Sequence, residues 1–311
     1  MMNQSQIAEV LKTKDNILIV SHRNPDGDTL GSSAALCRAL RLMGKEAYMY
    51  PNPDITEKYI PFIEDYLGSP DYCPEFTVSV DVADQDMLCK GFSGEVDMNI
   101  DHHPTNPEFA GYNCICEKKA ACGEIITEII EAMEAPLDKD TATLLYIAVT
   151  TDTGYFMYAN TNSDTLDCAG RLLDYGADNM RVVTVFFRKV SKARIALEGF
   201  IYNGMEYYCD GRLVVVTITK EMMEKSGATE NDTTDIAGLA GRVDTMLVGV
   251  IIKEKDDGTC KVSLRSGPEV NSYEICMAYG GGGHSMAAGF TYHGPADEVK
   301  QQLVEKIGNL L

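Results

Sequence analysis

The stretch Asn16-Ile17-Leu18-Ile19-Val20-Ser21-His22-Arg23-Asn24-Pro25-Asp26-Gly27-Asp28-Thr29-Leu30-Gly31-Ser32-Ser33-Ala34-Ala35-Leu36 decides how this chain is read. An apolar run suited to a buried strand gives way to a helix of small residues, across a turn that Pro25 and Gly27 make abrupt. The turn holds His22, Asp26 and Asp28, so one imidazole and two carboxylates can converge beyond the end of a single strand. Groups of this kind repel or desolvate badly when crowded unless a cation sits among them. The plainer alternative is an Asx-rich turn in which Asp28 or Thr29 caps the helix.

Three further segments favour the cation. An apolar run, 76–80, leads into Asp81, with Asp84 close behind; another, 96–100, leads into Asp101-His102-His103; and a helical pattern over 140–149 ends at Asp152. In open α/β sheets, ligands bind beyond the carboxyl ends of the strands, which is where these residues fall. The chain has 5 histidines. His22, His102 and His103 lie in the opening stretch and these segments, and a fourth, His284, follows Gly280-Gly281-Gly282-Gly283. Such clustering points to a two-metal carboxylate and imidazole site. A donor set of carboxylates and imidazoles suits hard or borderline ions, Mn²⁺ first and Mg²⁺ second, better than a structural zinc.

Taken in order, His22-x-x-Pro25-Asp26-x-Asp28, Asp81, Asp101-His102-His103, Asp152 and Gly280–His284 resemble the motifs of the DHH phosphoesterase family with its C-terminal DHH-associated domain. Within that family the pattern is similar to the compact nanoRNase and pAp phosphatase subgroup, and it spans nearly the whole chain. The resemblance implies that His22 and Asp26 bind one ion, that Asp28, His102 and Asp152 bind the other, and that Asp81 bridges them. His103 is then free to face the substrate phosphate, as a hydrogen-bond donor to developing charge or a proton donor to the leaving oxygen. Asp101 is expected to orient a histidine, and Asp84 to start a helix or support the site from outside. Arg265, Ser266, Gly281, Gly282, Gly283 and His284 are the implied substrate-binding residues, with the glycine backbone wrapping an anion. Two positions depart from the family pattern: Thr29 where alanine is expected, and Ser285 where proline or a basic residue is expected.

Composition sets outer bounds. At 311 residues the chain has room for two cores, and 45% apolar with 24% charged residues is ordinary for a globular protein. No apolar stretch approaches membrane-spanning length and the first residues lack the pattern of a signal peptide, so a cytoplasmic, membrane-free protein is expected. The 10 cysteines include no Cys-x-x-Cys, and Cys114-Ile115-Cys116 reads as packing. A net charge of −20 argues against tracking of long duplex nucleic acid, which requires surplus lysine and arginine, but it allows capture of short single-stranded oligonucleotides or phosphorylated nucleotides. Arg181, Arg188, Lys189, Lys192 and Arg194 form a basic group that reads either as a phosphate track or as a solvated helix face.

The expected fold class is α/β: an N-terminal, mostly parallel sheet flanked by helices, then a smaller C-terminal α/β domain with hairpins. Strands are expected at 16–21, 46–50, 76–81, 96–100 and 112–116, with helices at 29–43, 57–65, 122–134, 139–150 and 163–176. The expected domains are a catalytic domain over 1–187, a helical connector over 188–200 and a DHH-associated substrate-binding domain over 201–311. In the last, Asp210-Gly211 reads as a tight primed turn between strands, 245–253 and 259–265 as a second hairpin, and 271–278 and 295–309 as helices.

The function that follows is two-metal hydrolysis of very short oligonucleotides, of 3′-phosphoadenosine 5′-phosphate, or of both. The alternatives are a cyclic- or linear-dinucleotide phosphodiesterase, a pyrophosphatase or exopolyphosphatase, and a non-enzymatic nucleotide-binding module. The family resemblance also leaves room for a homodimer.

Overall fold

A computed structural model describes residues 1–234 and 236–311, which form two compact units, Met1–Lys189 and Val190–Leu311. In the first unit a helix α1 (Gln4–Thr13) precedes β1 (Ile17–Val20), α2 (Gly27–Leu42) and β2 (Ala47–Met49). There follow α3 (Ile60–Ile63), β3 (Phe76–Val80), β4 (Met98–Asp101), β5 (Tyr112–Ile115), α4 (Cys122–Ala132), α5 (Lys139–Asp152), α6 (Ser163–Asp174) and α7 (Asn179–Val182). The sequence pattern does not predict α1, whose capping box at Asn3 and Gln6 marks its start. The helix expected over 57–65 is shorter, with Ile60–Ile63 followed by a 3₁₀ turn.

All pairings in the first sheet are parallel, in the order β2-β1-β3-β4-β5. Chain direction across the sheet reverses between β1 and β3, and a doubly wound sheet opens a crevice at that switch point. His22 follows β1, Asp81 follows β3, and Asp101 ends β4, so the topology delivers three of the motifs to one edge of the sheet. The strands are buried on both faces and therefore read as continuous apolar runs rather than alternating ones.

Helices α2 and α5 approach closely enough to require glycine. A Cβ on Gly31 would lie 2.5 Å from the carbonyl oxygen of Leu144, and one on Gly27 would lie 2.2 Å from Oγ1 of Thr151. This contact sets the spacing between Asp28, in the first turn of α2, and Asp152, the last residue of α5. Gly31→Ala is expected to lower Tm despite its gain of about 1 kcal/mol in helix propensity, because backbone must move and overpacking costs about 1–3 kcal/mol. Gly170→Ala on exposed α6, where a new Cβ meets nothing within 4 Å, should raise Tm instead. Thermal unfolding of the two variants measures the contrast.

The second unit holds α8 (Lys192–Asn203), β6 (Glu206–Tyr208), β7 (Leu213–Ile218), α9 (Lys220–Ser226), β8 (Val248–Glu254), β9 (Cys260–Ser266), α10 (Ser272–Met277), β10 (Gly282–His284), β11 (Ala287–Tyr292) and α11 (Ala296–Gly308). Its mixed sheet runs β10-β11-β9-β8-β7-β6, with only β7 and β8 parallel. One face packs on α10 and α11 through Val250, Val262, Leu264, Ile275 and Leu303. Part of the other packs on α8 through Val214, Val216, Leu197 and Ile201.

Two local expectations are corrected here. β6 and β7 pair up to Tyr208↔Leu213, so the connection is a four-residue loop, Cys209 to Arg212, rather than a two-residue turn. Cys209, Asp210 and Gly211 all take positive φ, and the extra left-handed residues spread the turn. The glycine run is a strand rather than a loop: Gly282–His284 form the edge strand β10, paired with Ala287–Gly289. Close approach explains the glycines, since a Cβ on Gly281 or Gly283 would fall 2.4 or 2.5 Å from a carbonyl oxygen of β11.

Candidate metal centre

The loop after β1 is fixed from two sides. The Asn52 side chain donates to Oγ of Ser21 and to the carbonyl of His22, while His22 bridges Leu88 and Arg23 N–H donates to the Met87 carbonyl. Asp26 then caps α2, accepting from the N–H groups of Asp28 and Thr29 at 3.0 and 3.2 Å. The cap therefore belongs to Asp26, which leaves Asp28 inside the first turn. His22 Nε2 stands 3.7 Å from a carboxylate oxygen of Asp26 and 3.7 Å from one of Asp81.

Asp28 is almost fully buried and is held from a distant part of the chain. The N–H groups of Cys122 and Gly123, at the start of α4, donate to its two oxygens at 2.7 and 3.0 Å, and Ser32 Oγ donates at 3.1 Å. The positive end of a helix thus favours a negative charge at this point. Even so, burial and the neighbouring charge of Asp152 push Asp28 well above the ordinary carboxylate range.

Asp81 sits at φ 60°, a left-handed conformation uncommon outside glycine, asparagine and aspartate. Its N–H is tied to the Ile100 carbonyl, and Thr29 Oγ1 donates to the carbonyl of Val80 just before it, which gives the unexpected threonine a structural use. Its Oδ1 is buried without a hydrogen-bond partner among the described residues. Burial, then the charges of Asp28 and Asp26, raise Asp81 far above its usual value, and burial raises Asp152 to about 6.

The two adjacent histidines differ in what holds them. His102 Nδ1 lies 3.1 Å from the Lys119 carbonyl, which can only accept, so that nitrogen carries a proton. Its Nε2 lone pair is left toward Asp81, Asp152 and Asp28, at 3.5, 3.8 and 3.9 Å. His103 Nδ1 instead donates to Asp101 at 2.8 Å. Burial would raise Asp101, but the hydrogen bonds from His103 and Asn106 outweigh it and hold the carboxyl below its usual range. Asp84, for its part, caps a 3₁₀ turn.

Two clusters result, one of His22, Asp26 and Asp81 and one of Asp28, His102 and Asp152; within each, donor atoms lie within 4.8 Å of one another. Asp81 also reaches His102 and His103, so it stands between the clusters. The donor set fits two divalent cations: it is carboxylate-rich, contains imidazole, and includes a buried oxygen that no protein donor satisfies. Cys122 also lies within reach of Asp28 and Asp81, and burial followed by the charges of Asp81 and Asp28 pushes its thiol well above the normal range.

Three supports escape the sequence reading. Glu124, 1% exposed, accepts from Ala120 N–H and Thr165 Oγ1 and so ties down the loop whose Lys119 carbonyl fixes His102. Asn106 donates to Asp101, and the start of α4 grips Asp28. An acid in the first turn of α4 is the only local sign of any of these.

The expected substrate-binding residues all lie in the second unit. Ser266 Oγ is engaged within the fold, donating to the Val270 carbonyl and accepting from Ser272. Among the described residues Arg265 hydrogen-bonds only the adjacent Leu264 carbonyl, and His284 is exposed on the edge strand. Of the basic group, Arg181 stacks on Phe62 and Arg194 binds Glu198 and the carbonyls of Asp232 and Thr234, which makes both structural. No helix among the described residues is long and apolar enough to cross a membrane.

Comparison with known proteins covers both units. Residues 16–149 match the DHH family, N-terminal domain, and residues 210–311 match the DHHA1 domain. The chain is 34% identical over 310 residues to the bifunctional oligoribonuclease and PAP phosphatase NrnA of Thermus thermophilus, covering 97% of this chain and 92% of that one. It is 28% identical over 315 residues to the probable bifunctional oligoribonuclease and PAP phosphatase NrnA of Streptococcus mutans, covering 97% and 96%. Among solved structures, an exopolyphosphatase-related protein from Bacteroides fragilis superposes with a TM-score of 0.88 at 23% identity, over 99% of this chain and 96% of that chain, a likeness of fold.

Proposed function

The chain belongs to the DHH phosphoesterase family, and on that premise we propose that it hydrolyses short oligonucleotides and 3′-phosphoadenosine 5′-phosphate, using two divalent ions of which Mn²⁺ is the first candidate. The observation that carries the reading is Asp81, whose partnerless buried oxygen stands between two donor clusters. In the proposed assignment His22 and Asp26 hold one ion, Asp28, His102 and Asp152 hold the other, and Asp81 touches both. Two ions bound there would lower the pKa of a water and neutralise phosphoryl oxygens.

The chain's own groups supply the rest. The helix start at Cys122 and Gly123 keeps Asp28 aimed, and the Lys119 carbonyl selects the His102 tautomer whose Nε2 can coordinate. With Nδ1 of His103 committed to an ionised Asp101, only its Nε2 remains for substrate. Donation from that atom requires that both ring nitrogens carry protons. His103 is therefore assigned to the leaving oxygen or to charge developing on the phosphoryl group.

The relatives named as oligoribonuclease and PAP phosphatase support the substrate assignment, and the net charge of −20 favours short ligands over long ones. The test is turnover by purified protein with Mn²⁺ or Mg²⁺ on a dinucleotide, a pentanucleotide, 3′-phosphoadenosine 5′-phosphate, cyclic dinucleotides, pyrophosphate and polyphosphate. Release of mononucleotide from the dinucleotide and of phosphate from 3′-phosphoadenosine 5′-phosphate, both abolished by EDTA, is the expected result. Preference for pyrophosphate or a cyclic dinucleotide would overturn it.

A further inference from the structure

Cys114 and Cys116 stand two residues apart where β5 runs out, so strand alternation turns both side chains to one side. Their sulfurs lie 3.9 Å apart, and among the described residues no other two cysteines share a sulfur contact. Their surroundings differ. Cys114 is fully buried in the first core, the packing role expected from the sequence, whereas Cys116 is half-exposed at the rim of that core. Gln4 Nε2 donates to the Cys116 sulfur at 3.4 Å, and the Cys114 thiol is placed to donate to it as well. The contact with Cys114 holds the Cys116 thiol below its ordinary range, while the same contact and burial raise Cys114. Oxidation starts at an accessible thiol that ionises readily, and a second cysteine beside it resolves the product.

Both peptide groups of Cys116 are tied to the support of the candidate metal centre. Its N–H donates to the Asp101 carbonyl and its carbonyl accepts from Lys119 N–H, each at 2.9 Å. The Lys119 carbonyl in turn fixes Nδ1 of His102 at 3.1 Å. Extended chain separates Cα atoms two residues apart by roughly 6.6 Å, near the upper limit of what a disulfide spans, whose commonest separation is about 5.5–6 Å. Joining the two sulfurs therefore draws the end of β5 together by up to about 1 Å. β5 is the last strand of its sheet, so no further strand on its outer side resists the pucker.

We propose that Cys114 and Cys116 form a reversible oxidation site, in which hydrogen peroxide converts the two thiols into a disulfide that loosens the Lys119 turn and weakens metal binding at His102. Cys116, as thiolate, attacks one peroxide oxygen. The O–O bond breaks, Cys116 becomes a sulfenic acid, and the departing hydroxide takes a proton to leave as water. The Cys114 sulfur then attacks the Cys116 sulfur, the S–O bond breaks, and the hydroxyl leaves as a second water with the Cys114 proton. The thiol pair loses two electrons and the peroxide gains them. A dithiol restores both thiols by exchange and is itself oxidised to a disulfide. The effect on His102 rests on the proposed metal assignment, whereas the thiol chemistry does not.

The test treats the full chain in EDTA with a slight excess of hydrogen peroxide, alkylates the remaining thiols and maps them by mass spectrometry. The peptide holding both cysteines should be lighter by two hydrogens, unalkylated, and restored by dithiothreitol. Hydrogen exchange at the Lys119 amide, read on the same metal-free protein, should quicken. After EDTA is removed, Mn²⁺ should bind about tenfold or more weaker than to the reduced chain, the low end of what loss of a support to a metal-bound histidine costs. Cys116→Ser should show none of these changes after the same treatment, which separates them from methionine oxidation. Cys114→Ala should stop at a sulfenic acid on Cys116, trapped by dimedone, with Lys119 exchange unchanged. Alkylatable thiols at both positions after peroxide, or a bond from either cysteine to a different one, would overturn the site. A disulfide that forms while Lys119 exchange or Mn²⁺ affinity stays as in the reduced chain would overturn the link to His102. If the reduced chain binds no Mn²⁺, the metal assignment fails instead, and the mass and exchange measurements still decide the oxidation site.

Discussion

Replacing Asp81 with asparagine is expected to reduce turnover by roughly a thousandfold or more while leaving the apo protein as stable as the parent or more so. The first effect follows from position: Asp81 belongs to the first donor cluster and reaches His102 of the second, so in the proposed assignment its loss weakens both ions, whose stabilisation of transition-state charge is worth several kcal/mol. The second follows from burial. Asp81 is 4% exposed, has an oxygen with no partner, and is crowded by Asp28, Asp26 and Asp101, so in the absence of cations its charge opposes folding. Asparagine removes the charge, keeps the shape and tolerates the left-handed backbone at this position. Melting curves with EDTA and with Mn²⁺ would separate the effects. The parent should gain Tm on adding Mn²⁺ and the variant should gain little. A variant that kept near-parental turnover in saturating Mn²⁺ would show that the ions do not share this residue.

The second large effect divides the adjacent histidines. His102→Ala should raise the dissociation constant for metal by about a hundredfold or more, exceeding the 10–100-fold typical of supporting residues, because it removes a donor atom outright. His103→Ala should leave metal binding within a few-fold of the parent and lower kcat by about 10²–10⁴, the usual range for a positioned acid or base. The distinction rests on their partners: a carbonyl fixes His102 with its Nε2 turned to three carboxylates, while a carboxylate fixes His103. Metal titration by calorimetry and turnover at saturating metal would check both. Reversed outcomes would exchange the roles.

Gly170→Ala and Gly31→Ala make a related point about the scaffold. The same substitution is expected to act in opposite directions, because only Gly31 lies where two helices that carry site residues come into backbone contact. Nothing local to Gly31 in the sequence distinguishes it from any small residue in an amphipathic helix.

What the sequence by itself determined is whatever depends on local periodicity and chain order. Apolar runs ending in Ser21-His22, Asp81 and Asp101 specify buried parallel strands with polar groups at their carboxyl ends, and the α/β class and the candidate ligands follow from that pattern. Pro25, Gly27 and Asp26 mark the turn and the helix start, although the cap fell to Asp26 rather than to Asp28 or Thr29. Tertiary structure alone decided how those groups are held. The N–H groups that grip Asp28 come from residues 94 and 95 positions away, and the carbonyl that fixes the His102 tautomer comes from a loop anchored by buried Glu124. The glycine run became an edge strand because β11 offered it a partner, and Lys253 came to face Lys261 because the β8–β9 register put them opposite. A hydrogen bond between distant residues leaves no periodic trace in either segment, and register is fixed by side-chain packing across the whole sheet, so neither can be read before the chain has folded.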